Sequence, residues 1–286
     1  MNTVTLVPIG GLGNRIRVIE SGIRLAKKFN SKLKVIWFKD YGMGCRFDRL
    51  FCPVDDDNIQ VKDASFMDYI YDRPRLKNLY LPYITEKILF NHCISEKQSS
   101  FYYNKYNNYE EIAKKKNIYI ASFMPFYLSQ ENDYYHVFKP IPELQTKIEK
   151  ETNLFSNNTI GIQIRRADNS VSIELSPTDL FIEKMYSEKD ALFYLATDSN
   201  EEKTKLSQLF KERILYKDNI LERKSEQGIQ HALIEMFILS KTRKIYGSVE
   251  SSFGEVASLI GKVEYESLDK RFINGKNRHQ ELVFYR

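Results

Sequence analysis

Residues Thr159 to Asn169 read TIGIQIRRADN. Ile160, Ile162 and Ile164 alternate with small or polar residues, the period of a strand buried in a sheet. The strand ends in Arg165 and Arg166. Ligands of parallel sheets bind just beyond the carboxyl ends of the strands, so two guanidinium groups delivered there would face a crevice suited to an anion.

The sequence around this stretch alternates. Strands are expected at 159–165, 191–197, 213–217, 244–247 and 262–266, separated by helices at about 178–186, 200–211, 228–241 and 253–261. Such alternation implies a parallel sheet with helices on both faces. Upstream, Pro140 and Pro142, a polar helix over 143–151 and the turn-rich Ser156-Asn157-Asn158 suggest a boundary, giving domains 1–155 and 156–286. The first domain opens as a βαβ unit. Val4 to Val7 reads as a strand, Gly10 to Asn14 as a glycine loop, and Ile16, Ile19, Ile23, Ala26 and Phe29 form one stripe of a helix before a strand at 33–38. From Asp40 to Asp133 the pattern is less regular, with strands expected at 78–81 and 118–123 and short helices near 86–91 and 110–115. The run Phe101 to Tyr109 (FYYNKYNNY) reads as a biased surface loop or a stacking surface for sugar rings.

The 286 residues suit two domains, and 42% hydrophobic with 28% charged residues is a soluble globular composition. No apolar run approaches the ~20 residues of a membrane span. Cys45, Cys52 and Cys93 form no CxxC pair and suggest neither a disulfide framework nor a zinc site. The first residues, MNTVTLVPIGG, lack the basic and apolar regions of a signal peptide, so a cytoplasmic protein is expected. The net charge of +5 favours anionic partners but is too small and dispersed for nucleic acid, and it leaves contact with an anionic membrane surface open.

The loop Gly10 to Asn14 fails both phosphate-loop fingerprints. Ile16 stands at the third glycine position of G-x-G-x-x-G, and no Gly-Lys-Ser/Thr follows. What remains is a glycine turn that a ligand can approach closely, at a helix N-terminus that favours an anion. Ser252-Phe253-Gly254-Glu255 matches a capping box before Val256, Ala257, Leu259 and Ile260. Its free N–H groups and Arg165 belong to one sheet and could converge on a diphosphate. Phe193 to Asp198 delivers an aspartate to the same edge. Glu235 stands within the largely apolar helix Gln230 to Leu239, a candidate partner for a purine edge. Asp55-Asp56-Asp57 has the look of a metal-binding acidic run but lies in the irregular region, away from these motifs.

Taken in order, GGLGN, IGIQIRRADN, FYLATDSNEE and IEMFILSKTRKIYGSVESSFGEVASLIG resemble the donor-site motifs of the inverting fucosyltransferase superfamily, the α1,2, α1,6 and protein O-fucosyltransferases. The resemblance covers the first 30 residues and most of 159–261. It implies an α/β GT-B fold, two Rossmann-like domains facing a cleft. The N-terminal domain would hold a glycan acceptor and the C-terminal domain GDP-fucose or a related nucleotide sugar, with no cofactor and no metal. It also implies roles. Arg165 resembles the arginine on the β-phosphate, Ser251, Ser252 and Phe253 the diphosphate helix, Glu235 the acidic residue reading guanine, and Asp198 the aspartate closing the second motif. Gly11, Gly13 and Asn14 resemble the loop across the cleft, while Gln163 and Arg166 flank Arg165 as donor contacts. Gln163 replaces a common histidine and Ala167 a common threonine or glycine, so GDP is implied more firmly than fucose. Some members carry a glutamate in the loop after the central strand. Glu174, at a spacing that differs by one residue, resembles it and is the expected general base, with Asp168 or Asp179 as competitors.

Overall fold

The computed structural model describes residues 2–71, 73–74, 79–80, 88–99, 112, 114–127, 133–218 and 222–272. The aromatic run 101–109 lies outside the described residues, as do parts of the helices expected near 86–91 and 110–115. The chain divides into two compact units, Met1–Thr146 with Ile220–Leu233, and Lys147–Asn219 with Ile234–Arg286. Residues 220–233 thus group with the first unit although they follow most of the second in sequence.

The first unit contains β1 (Thr3–Pro8), α1 (Leu12–Lys28), β2 (Lys32–Trp37), β3 (Ile59–Asp63), α2 (Phe66–Tyr71), β4 (Arg73–Pro74), β5 (Leu79–Tyr80), β6 (His92–Ile94) and β7 (Asn117–Ser122). Its parallel sheet has the order β3-β2-β1-β7-β6, while β4 and β5 form a separate antiparallel pair. Strand order reverses between β1 and β7. The glycine loop leaves β1 at this reversal.

A helix α3 (Pro142–Thr152) leads to the sheet of the second unit, built from β8 (Thr159–Ile164), β9 (Leu192–Thr197), β10 (Ile214–Tyr216), β11 (Lys244–Ser248) and β12 (Glu264–Leu268). Between these strands lie α4 (Ser170–Leu175), α5 (Thr178–Ser187), α6 (Asn200–Phe210), α7 (Glu226–Leu239) and α8 (Ser252–Gly261). All neighbours are parallel, in the order β10-β9-β8-β11-β12. This is a doubly wound half sheet, as the alternation of the sequence predicts.

The alternation in β8 explains how the two helical layers divide. Ile160, Ile162 and Ile164 pack with Phe181 and Met185 of α5 and Leu206 and Phe210 of α6. Gly161 and Gln163 point to the opposite face, as period two requires. A Cβ on Gly161 would lie 2.8 Å from Leu239 of α7, and one on Gly254 of α8 would lie 3.1 Å from Gln163 Oε1. Glycine at these two positions lets α7 and α8 approach the strands. Successive connections therefore run one way on the α5/α6 face and back on the α7/α8 face, and the chain switches direction between β8 and β11.

Candidate functional site

A crevice opens in such sheets where strand order reverses, beyond the carboxyl ends. In the second unit that point lies between Ile164, followed by Arg165, and Ser248, followed by Ser251 and α8. Ser248 Oγ accepts a hydrogen bond from the Arg165 backbone N–H at 3.0 Å, tying the two strand ends together. The Arg165 guanidinium forms ion pairs with both Asp168 and Asp198. Asp198, at the end of β9, also accepts from the Arg166 backbone N–H at 2.6 Å. Thus Arg165, Asp168 and Asp198 are brought together beyond the carboxyl ends of β8 and β9.

Arg166 turns the other way. Its guanidinium donates to Glu202 (2.9 Å), the Arg165 carbonyl (2.9 Å), the Ser176 carbonyl and Thr178 Oγ1 (both 3.0 Å). These bonds make it a brace between β8 and the starts of α5 and α6. The Arg166 side chain, expected as a donor contact, is thus engaged within the second unit. Gln163 lies beneath the first turn of α8, 3% exposed, and its Oε1 has no hydrogen-bond partner among the described residues.

Ser251, Ser252 and Phe253 stand at the start of α8, one residue out of step with the expected capping box. Ser251, not Ser252, is the N-cap, and its side chain makes no capping hydrogen bond. Glu250 before it is left-handed (φ 55°), and Ser251 itself is extended. The box is therefore not formed with Ser252 as cap. The first-turn N–H groups are left uncapped by Ser251, which suits an anion.

Glu174 differs from expectation in its setting. The sequence reading places it in a loop, whereas it lies in the short helix α4, capped by Asn169, whose Oδ1 accepts from Ser172 N–H at 3.1 Å. Its side chain is 73% exposed and pairs with Lys270 at 3.4 Å. Asp179 lies in the first turn of α5, 87% exposed. Glu235 is on α7, one turn before Leu239, and so behind the sheet on the α7/α8 face; it is 4% exposed. The buried Tyr194 hydroxyl has no hydrogen-bond partner among the described residues, and burial, followed by the charges of Glu235 and Glu151, raises its pKa.

In the first unit, Gly10 has φ +89°, and Gly11 is the N-cap of α1 with open space where a Cβ would be. Gly13 is buried in the first turn, and Asn14 Oδ1 accepts from Arg17 at 2.9 Å. Sequence reasoning missed Arg15. It is fully buried, donates to the Gly10 and Phe38 carbonyls at 2.9 and 2.6 Å, and pairs with Asp40 at 2.6 Å. Burial pushes its pKa down against the pull of Asp40. The signal was a charged residue on the apolar stripe of α1, between Leu12 and Ile19.

Among the described residues no group of three or more His, Cys, Asp or Glu side chains could hold a metal ion. Asp56 of the acidic run pairs with Lys27 and accepts from the Asn58 N–H at 2.9 Å. The three cysteines form no disulfide, and no helix among the described residues is long and apolar enough to cross a membrane.

No family model matches the chain, and no curated protein matches its sequence. Solved structures do. NodZ fucosyltransferase from Bradyrhizobium is 18% identical with a TM-score of 0.65, over 91% of this chain and 92% of that one. The fold is the GT-B-like fold of fucosyltransferases. NodZ alpha-1,6-fucosyltransferase soaked with GDP-fucose matches with a TM-score of 0.65 at 17% identity, over 91% of this chain and 92% of that one. A mutant of Arabidopsis thaliana FUT1 in complex with GDP matches with a TM-score of 0.63 at 16% identity, over 92% of this chain and 70% of that one. The fold implied by the four motifs is thus the fold found.

Proposed function

We propose that the chain is an inverting fucosyltransferase that moves L-fucose from GDP-fucose to a glycan hydroxyl, with the donor held by the second unit. The observation that carries this is the tie between Arg165 and Ser248 at the strand-order reversal, where the chain runs on from Ser248 into α8 without a side-chain cap from Ser251, in a fold whose solved examples include complexes with GDP-fucose and GDP. Two demands define the chemistry: negative charge must be stabilised as GDP leaves, and a proton must be taken from the acceptor hydroxyl. Arg165 and the α8 amides serve the first, and Glu174 the second. Asp198 holds the Arg165 side chain and the Arg166 backbone in place. Gly11, Gly13 and Asn14 supply a close-approach turn for donor or acceptor. Incubation with GDP-fucose, with and without candidate glycans, tests the reading through GDP release. Tight GDP binding without turnover on any glycan would instead mark a non-catalytic binding protein, and turnover with another nucleotide sugar would reassign the donor.

Metal independence is part of the proposal, because a guanidinium and helix N–H groups supply the positive charge a cation would bring. Transfer is expected to persist in EDTA. Loss of activity in EDTA, restored by manganese, would reverse this. The charge and cysteine usage fit a cytoplasmic setting, at the membrane surface if the acceptor is there.

Glu235 is proposed to select guanine, since a carboxylate accepts from both the ring N–H and the exocyclic amine. Being buried, it would exchange an internal contact for one to the base. Glu235→Gln is expected to weaken GDP far more than ADP at an unchanged melting temperature. Equal losses for both nucleotides would mark it as a structural carboxylate of α7.

A further inference from the structure

We propose that Asn169 is a positioning residue for the diphosphate turn, its one side chain capping the helix that carries Glu174 and fixing the backbone that presents Ser251 and Ser252. The proposal rests on the donor-site reading above. Asn169 Oδ1 accepts from the Ser172 N–H at 3.1 Å, and Nδ2 donates to the Glu250 carbonyl at 3.0 Å. Glu250 needs such a hold. Its φ of 55° is left-handed backbone that a residue with a Cβ keeps only where its surroundings impose it.

The neighbouring groups complete a clasp. Ser172 Oγ donates to the Val249 carbonyl, and the Val249 N–H donates to Ser176 Oγ at 2.9 Å. Ser176 Oγ in turn donates to the Leu268 carbonyl at the end of β12. Three side chains from 169–176 thus hold both polar groups of Val249 and the carbonyl of Glu250. The next residue, Ser251, is extended and without a side-chain cap of its own. The aim of the Ser252, Phe253 and Gly254 N–H groups is consequently set from outside α8, by the segment following Arg165. An amide side chain suits this task because it carries an acceptor and donors on one rigid plane. A site misaimed by about an ångström loses much of its affinity and rate.

The test uses the full chain with Asn169→Ser and Asn169→Ala, read by calorimetric titration with GDP, thermal unfolding and amide hydrogen exchange over 249–254. Serine keeps a neutral N-cap acceptor but has no amide to reach Glu250. Asn169→Ser is expected to bind GDP roughly tenfold more weakly with a near wild-type Tm. Exchange at 251–254 should be faster even without nucleotide. Asn169→Ala should lose the same affinity and also lower the Tm, because the cap goes too. Wild-type GDP affinity and exchange in Asn169→Ser would reduce Asn169 to a helix cap and overturn the proposal alone. A wild-type chain that binds no GDP would overturn the donor-site reading, and the proposal with it.

Discussion

Arg165→Ala is expected to lose transfer on the order of a hundredfold or more, about 2.7 kcal/mol of transition-state stabilisation, with a smaller loss of GDP affinity. The asymmetry follows from when the charge is needed. The diphosphate gains negative charge as the glycosidic bond breaks, so a guanidinium fixed beforehand interacts more strongly with the transition state than with bound donor. The structure shows how it is fixed: the backbone N–H is held by Ser248 and the side chain by Asp198, which is itself bound to the Arg166 N–H. Asp168 occupies the remaining side of the fork. That carboxylate is 57% exposed, so water can solvate it once it leaves the guanidinium. A diphosphate can therefore displace Asp168 while Asp198 keeps the guanidinium in place. Arg165→Lys should recover only part of the activity, since an ammonium cannot serve Asp198 and a phosphate through one planar fork. Steady-state kinetics with GDP-fucose and a responsive glycan give the measurement. Near-normal kcat/KM in Arg165→Ala would end the donor-site assignment.

Legibility in the sequence tracked burial. The second unit was readable because its strands lie in a sheet covered by helices on both faces, so TIGIQI and LFYLAT show their periods and the helices between them show theirs. In the first unit β3 and β6 escaped notice. They are the edges of their sheet, and IQVKD and HCI carry no apolar run because much of each is only half-buried. Edge strands take their place from backbone pairing with β2 and β7, which leaves little trace in composition.

Within the site, residue type was legible and geometry was not. Two arginines in succession were read as donor contacts, and the sequence could not show that their side chains turn to different partners, Arg165 to Asp168 and Asp198 and Arg166 to Glu202 and Thr178. The start of α8 was misread by one residue, and the left-handed Glu250 before it, whose carbonyl accepts from Asn169 81 positions earlier in the chain, leaves no mark in the local sequence. Helix α4 went unseen because six residues of SVSIEL are too short for a period, and the helix depends on its asparagine cap.

That helix gives the second large effect its physical basis. Glu174→Gln is expected to lower transfer by about two to four orders of magnitude while leaving GDP affinity unchanged, the separation expected of a general base. Inversion requires the acceptor hydroxyl to attack from the side opposite the leaving diphosphate, so the base must stand off from Arg165 yet on the same edge of the sheet. Helix α4 leaves that edge directly after β8, and a helical residue is placed more firmly than one on a loop. Glu174 is 73% exposed and its link to Lys270 is a 3.4 Å surface pair, so little holds it back from an arriving hydroxyl. The competitors are less well placed. Asp168 lies against the Arg165 guanidinium, on the side where the leaving diphosphate is placed rather than opposite it, and Asp179, 87% exposed in the first turn of α5, pairs with Lys205 at 3.5 Å. Asp179→Asn should therefore leave transfer intact, and Asp168→Asn should alter donor affinity as well as rate. Single-turnover transfer beside GDP titration of each variant distinguishes these outcomes. Full transfer by Glu174→Gln would move the proton to Asp168 or to a mechanism without a protein base, and a parallel loss of GDP affinity would show instead that Glu174 shapes the donor site.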